Sequence, residues 1–214
     1  MKNIIVSGAT KSIGEAITKE LSKYYHIIAI ARNYDNLYNL YHDNPNVSIY
    51  AMDLTKNEDL NKFKEYISDK KIYGLINNAG GMNDVNLIHE GNIDMWEQSY
   101  NINALAPIKL SKIVIPCMID YSTIINITSV VALRPFARMI SYSGAKIAAS
   151  HMTKILRLDV AQKNIKVTEI APATIGKEGL KPEDIANTIQ WIFNLPEYCN
   201  IDSLTISHIK NTIY

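Results

Sequence analysis

A tyrosine and a lysine four residues apart, Tyr142 and Lys146, are the side chains of this sequence best suited to proton transfer. Residues at this spacing are neighbours on one face of a helix. A free phenol titrates near pH ~10, and an adjacent ammonium favours the phenolate and so lowers the pKa of the phenol. Such a pair can exchange a proton with a substrate oxygen. The same spacing also occurs on solvated helices that have no catalytic role. Other motifs in the sequence must therefore show whether this pair is catalytic.

A glycine-containing turn near the N-terminus, residues Ser7-Gly8-Ala9-Thr10-Lys11-Ser12-Ile13-Gly14, lies between a strand-like and a helix-like segment. Glycines at such a turn let the backbone approach a pyrophosphate, and the N-terminus of the next helix offers unpaired N–H donors. The alternative is a plain strand-to-helix turn, in which Gly8 supplies an unusual dihedral and Ser12 caps the helix.

The residue after the second strand bears on which nucleotide would bind. An acidic residue there holds a ribose 2′-hydroxyl, whereas a basic one accommodates a 2′-phosphate. The second strand ends at Arg32, and Lys11 lies in the glycine turn. These two cations favour NADP(H) over NAD(H). The competing interpretation is that both are surface charges, with Asp35 as the partner of Arg32.

Composition and length narrow the class of protein. A chain of 214 residues, 47% hydrophobic and 20% charged, is long enough for one well-packed domain, which we place at residues 1–214. Its 22 basic and 21 acidic residues leave no surplus charge to attract nucleic acid or a membrane surface. Cys117 and Cys199 lack the spacing of metal ligands. We find no segment of transmembrane length and no signal peptide, and therefore expect a cytoplasmic protein without a metal.

Short apolar segments alternate with longer amphipathic ones along the chain. The predicted strands are Ile4–Ser7, Ile27–Ala31, Val47–Met52, Gly74–Asn77, Ser122–Thr128, Lys166–Ile170 and Ser203–Ile206. The predicted helices are Ser12–Lys23, Asn33–His42, Lys56–Asp69, Asp94–Cys117, Ile140–Gln162 and Pro182–Leu195. This alternation predicts an α/β fold, a single doubly wound Rossmann domain with a parallel sheet of about seven strands and helices on both faces. Ligands of such sheets bind beyond the carboxyl ends of the strands.

Taken together, these motifs resemble the short-chain dehydrogenase/reductase family, in its carbonyl-reductase-like form, over nearly the whole chain. Gly8 and Gly14 match the outer glycines of the family's Gly-x-x-x-Gly-x-Gly turn, and Asn77-Asn78-Ala79-Gly80 matches its motif after the fourth strand. The resemblance assigns the catalytic roles to Asn103, Ser129, Tyr142 and Lys146. It assigns cofactor binding to Gly8, Thr10, Lys11, Ser12, Ile13, Gly14, Arg32, Asp53, Leu54, Asn77, Ala79, Gly80, Tyr142, Lys146, Pro172, Thr174 and Ile175.

The resemblance implies reversible hydride transfer between NADP(H) and a small carbonyl or secondary alcohol. Tyr142 would be the general acid and base, with its pKa lowered by Lys146, which also holds the nicotinamide ribose. Ser129 would polarise the carbonyl, and Asn103 would position a water that relays protons. Relatives commonly dimerise through two long helices, here 94–117 and 140–162, so we expect a homodimer.

Three departures from the family pattern favour an alternative, a nucleotide-sensing or scaffold protein with little turnover. Ser12 replaces the middle glycine of the turn, and Lys177 stands where a threonine is usual, although Thr174 offers a substitute. The connection from Gly176 to Pro182 is too short for the usual lid over the substrate. The complete set of four catalytic residues favours an enzyme.

Overall fold

The computed structural model describes residues 1–211 and contains one seven-stranded parallel sheet. Its strands are β1 (Asn3–Ser7), β2 (His26–Ala31), β3 (Val47–Ala51), β4 (Ile72–Asn77), β5 (Met118–Ile127), β6 (Lys166–Pro172) and β7 (Ser203–Ile206). The strand order is β3-β2-β1-β4-β5-β6-β7, and every neighbouring pair is parallel. The order reverses between β1 and β4, which is the point where doubly wound sheets bind ligands.

Helices connect the strands and cover the sheet. They are α1 (Ser12–Leu21), α2 (Tyr34–Tyr41), α3 (Asn57–Tyr66), α4 (Ile93–Tyr100), α5 (Ala106–Val114), α6 (Ile140–Val160) and α7 (Pro182–Phe193). The predicted α/β doubly wound fold is therefore confirmed.

The central strands are apolar on both faces because both faces are covered. Ile4 and Ile5 on β1 are completely buried, yet they belong to two different core clusters. The Ile4 cluster contains α1 and α7 residues, and the Ile5 cluster contains α3 and α5 residues. Adjacent residues of a strand point to opposite faces, so this division places one helical layer on each side of the sheet.

The predicted helix Asp94–Cys117 is continuous but irregular. A π-helical segment, Asn101–Leu105, separates α4 from α5, and a 3-10 turn, Ile115–Cys117, follows α5. The Ala106 N–H bonds to the Asn101 carbonyl, five residues back. Pro107 has no N–H to offer the Asn103 carbonyl, so an ordinary helical hydrogen bond is missing at this point. Such π-helical turns are frequent at functional sites.

The connection between β6 and α7 forms a compact loop. The Gly176 N–H donates to the Leu180 carbonyl at 2.9 Å, and the Leu180 N–H donates to the Thr174 carbonyl at 2.9 Å. Leu180 is buried, whereas Lys177 is exposed. No helix within residues 1–211 has both the length and the apolar character that crossing a bilayer requires.

Candidate active site

A cavity of about 930 Å³ opens beyond the carboxyl ends of the central strands. Most of the predicted site residues line it: Gly8, Thr10, Lys11, Ser12, Ile13, Arg32, Asp53, Leu54, Ala79, Gly80, Ser129, Tyr142, Lys146, Pro172 and Ile175. Four others, Gly14, Asn77, Asn103 and Thr174, lie outside this lining. Residues that follow the ends of six strands thus meet at the carboxyl edge of the sheet. The cavity lies there, next to the point between β1 and β4 where the strand order reverses.

Two residues of the glycine turn, Gly8 and Ser12, have a positive φ, and only Gly8 is a glycine. Gly8 has a φ of +67°, and a Cβ there would stand 2.8 Å from the Ala79 Cα. Glycine is therefore required at this position. Ser12 also has a positive φ, +47°, which disfavours a residue with a Cβ.

Helix α1 lacks the side-chain cap that the alternative interpretation expected. Its N-cap residue is Lys11, which makes no side-chain capping hydrogen bond, and Ser12 is the first helical residue. The suggestion that Ser12 caps α1 is therefore wrong. The first N–H groups of α1 remain available to an anion in the cavity.

Asn78 holds the glycine turn against the end of β4. Its side-chain amide donates to the carbonyls of Ser7 and Gly8 at 3.1 and 3.2 Å. The Ser7 hydroxyl accepts from the backbone N–H groups of Asn78 and Ala79 at 3.0 and 3.1 Å. Asn78 lines the cavity and was missing from the residues predicted from the sequence, although it stands inside the recognised Asn77–Gly80 motif.

Asn77, in contrast, points into the protein interior. It is buried, and its amide nitrogen donates to the Ser111 hydroxyl at 3.0 Å and the Asn126 side-chain oxygen at 2.7 Å. These bonds connect β4 to α5 and β5. The structure thus places Asn77 where it stabilises the sheet.

Arg32, Lys11 and Asp53 lie along the part of the cavity formed by the β1, β2 and β3 ends. Within residues 1–211, neither cation forms an ion pair with a carboxylate within 4.0 Å, so Asp35 is not the partner of Arg32. Burial tends to raise the pKa of Asp53, but hydrogen bonds from Thr55 and the nearby Arg32 charge outweigh it and lower this pKa. Asp53 is consequently an ionised acceptor at neutral pH.

Ser129, Tyr142 and Lys146 meet at the β5 end of the cavity. Ser129 and Tyr142 are close enough for their hydroxyls to interact, and this interaction lowers the pKa of the phenol. The Lys146 ammonium is buried, donates to the Ile127 carbonyl at 2.9 Å, and lies 5.8 Å from the centroid of the Tyr142 ring. The four-residue spacing on α6 therefore places the phenol and the ammonium on the same helix face, toward the end of β5.

The pKa of Tyr142 differs from the sequence-based expectation. Burial raises it above the ordinary value for a phenol, and the Ser129 hydrogen bond offsets only part of that effect. The expectation of a lowered pKa is not met because burial dominates, while the Lys146 ammonium lies 5.8 Å from the centroid of the phenol ring. Tyr142 is therefore a neutral phenol near pH 7, the form that can give a proton away.

Lys146 is strongly affected by its surroundings. Burial lowers the pKa of Lys146 to about 8, and the negative charge of Glu169 opposes the effect of burial. A lysine with this pKa still carries its proton at neutral pH. Desolvation together with a nearby charge is a frequent feature of functional sites.

Asn103, in the π-helical segment, fixes the start of the loop that follows β4. Its side-chain oxygen accepts from the Gly81 N–H at 3.0 Å, and its amide nitrogen donates to the Gly81 carbonyl at 2.9 Å. The same nitrogen donates to the Ser99 carbonyl at 3.0 Å. Gly81 lines the cavity, whereas Asn103 does not, so Asn103 fixes the cavity wall through its hydrogen bonds to Gly81.

The two remaining predicted residues, Gly14 and Thr174, lie outside the cavity lining and make contacts within the protein. A Cβ at Gly14 would collide with the Gly8 carbonyl, so this glycine lets α1 pack beneath the turn. Thr174 is exposed, and its carbonyl accepts the Leu180 N–H of the β6–α7 loop. Within residues 1–211, no three His, Cys, Asp or Glu side chains are grouped so that they could hold a metal ion.

Comparison with known proteins gives consistent matches over almost the entire chain. The family model for short chain dehydrogenases matches residues 2–185. An uncharacterised oxidoreductase of Staphylococcus aureus is 27% identical, covering 96% of this chain and 96% of its own. A probable NADP-dependent dehydrogenase of Haemophilus influenzae is 26% identical, covering 94% and 91%. The crystal structure of serine dehydrogenase from Escherichia coli superposes with a TM-score of 0.91 at 25% identity, covering 99% of this chain and 100% of that one.

Proposed function

Because the chain belongs to the short-chain dehydrogenase family and is an oxidoreductase of that family, we propose that it uses NADPH to reduce a small carbonyl compound to an alcohol. The observation that carries this proposal is the position of Ser129, Tyr142 and Lys146 in the same cavity as the glycine turn. The resemblance assigned these roles from the sequence, and the geometry is compatible with them.

The cavity suits a dinucleotide at its β1 and β2 ends. Gly8 has no Cβ, so a pyrophosphate can approach its backbone closely. The uncapped N-terminus of α1 offers N–H donors to the same group. Lys11 and Arg32, which have no carboxylate partner among the described ion pairs, would hold a 2′-phosphate. The name of the H. influenzae relative, a probable NADP-dependent dehydrogenase, agrees with this choice.

The bound nicotinamide would supply the hydride, and the protein would supply the proton and the alignment. Tyr142, a neutral phenol at pH 7, donates its proton to the substrate oxygen. The Ser129 hydroxyl hydrogen bonds to the same substrate oxygen and keeps it aligned with the Tyr142 phenol. Lys146 remains protonated at neutral pH, holds the nicotinamide ribose, and favours the phenolate that proton donation leaves behind.

The decisive experiment compares binding with turnover in the purified protein. NADPH binding is measured by fluorescence titration, and NADPH oxidation is measured with a panel of ketones, aldehydes and quinones. Replacing Tyr142 with Phe should leave binding nearly unchanged and reduce kcat by about 10²–10⁴-fold. The exposed Tyr198, replaced in the same way, is the matched control and should retain full activity.

Two other results would redirect the proposal. Substantial turnover by the Tyr142→Phe variant would exclude Tyr142 as the acid. NADPH binding without oxidation of any carbonyl would favour the nucleotide-sensing alternative, for which the strained Ser12 is the specific observation.

We also propose a homodimer formed through α6 and the α4–α5 segment. Ile147, Ile155 and Leu158 are exposed on α6, on the side opposite Tyr142 and Lys146. Leu105, in the π-helical segment beside α6, is also exposed. Burial against a second copy would remove this apolar surface from water. Sedimentation at micromolar concentration should give a dimer, and Leu158→Glu should weaken it, whereas Trp191→Glu on α7 should not.

A further inference from the structure

Glu169, on β6, is a buried carboxylate to which the proposed mechanism assigns no step. Its residue is 2% exposed. One carboxylate oxygen accepts from the Thr128 hydroxyl at 2.7 Å, and the other accepts from the Ser150 hydroxyl at 3.0 Å. An ionised carboxylate is rarely buried unless charge or hydrogen bonds compensate for its lost hydration.

The two residues that hold Glu169 are immediate neighbours of the contacts made by Lys146. On β5, Ile127 accepts from the Lys146 ammonium, and the next residue, Thr128, donates to Glu169. On α6, Ser150 follows Lys146 by four residues and so lies on the same helix face. The ammonium and the carboxylate are therefore both held in the region where the end of β5 meets α6.

The two groups interact through charge rather than direct contact. No ion pair within 4.0 Å joins them among the described residues. The negative charge of Glu169 nevertheless raises the pKa of Lys146 against the effect of burial. Few water molecules screen the charges of two buried groups, so their attraction extends further than it would at the surface.

Other titratable groups near Lys146 are less well placed to take this role. On α6 itself, Tyr142 is a neutral phenol at pH 7. On α4, the Tyr100 hydroxyl lies against Gly144, while Asp94 and Glu97 are exposed.

The remaining elements packed on α6 add two cations: Lys163 in the 3-10 turn after α6, which is exposed, and Lys166 at the opposite end of β6. The π-helical segment and the 3-10 turn after Ser129 contain no titratable residue. Glu169 is thus the buried acid on these elements of the described chain.

We propose that Glu169 is a positioning residue of the candidate active site, which holds Lys146 in its charged form and oriented toward the Ile127 carbonyl and the cavity. Thr128 and Ser150 hold the carboxylate in place by donating to both of its oxygens. The consequence for catalysis rests on the proposed function, because it assumes that a charged Lys146 assists Tyr142. The electrostatic relationship itself does not require turnover.

A purely structural role is the competing explanation, in which Glu169 only fastens β6 to α6. Both roles predict that removing Glu169 lowers stability. They differ in the titration of Lys146, which a structural role leaves in place. The test therefore follows the ionisation of Lys146 itself.

The experiment is an NMR titration of the full-length protein carrying [ε-¹³C]lysine, without added nucleotide. The Lys146 signal is assigned by its loss in Lys146→Met. In Glu169→Gln, which keeps the size of the side chain and removes its charge, the pKa of Lys146 should fall by about 0.5–1 pH unit or more. In Glu169→Asp, which keeps the charge, it should fall less. An unchanged Lys146 titration in folded Glu169→Gln would overturn the proposal.

A second variant covers the case in which Glu169→Gln does not fold. Thr128→Val combined with Ser150→Ala removes the two donors that hold the Glu169 carboxylate in place, so its charge is no longer fixed near Lys146 and the pKa of Lys146 should again fall. An unchanged Lys146 titration in this double variant would also contradict the proposal.

Kinetics then separate this inference from the proposed function. In an active protein, Glu169→Gln should shift the alkaline limb of kcat/KM to lower pH by the same amount as the Lys146 titration. A shifted titration in a protein that reduces no carbonyl would uphold the role of Glu169 and contradict the reductase proposal. A shifted titration with an unmoved alkaline limb would contradict the catalytic part of the Glu169 proposal.

Discussion

Lys146 lies one helical turn from Tyr142, yet its ammonium donates to the Ile127 carbonyl at 2.9 Å and lies 5.8 Å from the Tyr142 ring centroid. The pKa of the phenol is accordingly governed by burial, which raises it, and by the opposing Ser129 hydrogen bond. The phenol is thus the resting form across neutral pH. This protonation state favours reduction, which consumes a proton from Tyr142, over oxidation, which requires the phenolate.

We predict that the two directions of the reaction depend on pH in opposite ways. Because the pKa of Tyr142 is raised, kcat/KM for reduction should be flat at neutral pH and fall above about pH 8, where Lys146 loses its proton. Oxidation should rise with pH, by up to about tenfold per unit, as phenolate forms. Initial rates in both directions test this; an oxidation rate independent of pH around neutrality would contradict it. Ser129→Ala removes the interaction that lowers the pKa of Tyr142, so the rise of the oxidation rate should occur at higher pH in this variant.

Arg32 should determine the preference for the phosphorylated nucleotide. Removing a charge-assisted hydrogen bond costs about 1.5–3 kcal/mol, so Arg32→Gln should weaken NADPH binding roughly 10- to 100-fold. NADH has no 2′-phosphate, and its affinity should stay the same. Fluorescence titration of both nucleotides measures the difference. Arg138→Gln, on an exposed loop, is the control and should change neither affinity; equal losses for NADH and NADPH in Arg32→Gln would refute the phosphate contact.

Ser12→Gly should stabilise the protein. The positive φ of Ser12, +47°, costs a residue with a Cβ about 1–2 kcal/mol. The greater freedom of glycine in the unfolded chain offsets about 0.4–1 kcal/mol of this gain. We therefore expect the free energy of unfolding to rise by about 0.5–1 kcal/mol in urea denaturation. Ser12→Ala keeps the Cβ and should show no such gain, so a similar rise in both variants would argue against backbone strain.

Asn77 and Asn78 should behave differently although they are adjacent. Asn77→Ala removes the donor to the buried Asn126 side-chain oxygen, so the free energy of unfolding should fall by about 1–3 kcal/mol. NADPH affinity should change less than about twofold, since Asn77 lies outside the cavity lining. Asn78→Ala should weaken NADPH binding, because Asn78 lines the cavity and holds the Ser7 and Gly8 carbonyls. A large loss of NADPH affinity in Asn77→Ala at unchanged stability would restore the sequence-based assignment of Asn77 to cofactor binding.

Most of the sheet was predictable because its strands are short, apolar and locally distinct. The prediction for β7, Ser203–Ile206, agrees with the structure, whereas β5 begins at Met118 rather than Ser122. Tyr121 interrupts β5 with a φ of +60°, so pairing with β4 resumes only after a register shift. A pattern of alternating or continuous hydrophobicity does not reveal such an irregularity.

The helix around Asn103 shows the same limit. The sequence predicted one helix from Asp94 to Cys117, although Pro107 within it has no N–H for a helical hydrogen bond. The π-helical turn also brings Asn103 into two hydrogen bonds with Gly81, a residue in another part of the chain. Local pattern cannot supply a contact of this separation.

The sequence by itself determined which chemistry is available and which fold positions it. The spacing of Tyr142 and Lys146 needs only one helical turn to become a shared face, and the glycine turn needs only the strand and helix around it. The tertiary structure alone decided the protonation of Tyr142, the different directions of Asn77 and Asn78, and the hydrogen bonds that Thr128 and Ser150 make to the buried Glu169. These properties depend on burial and on partners distant in sequence, and burial is a property of the packed chain rather than of any segment.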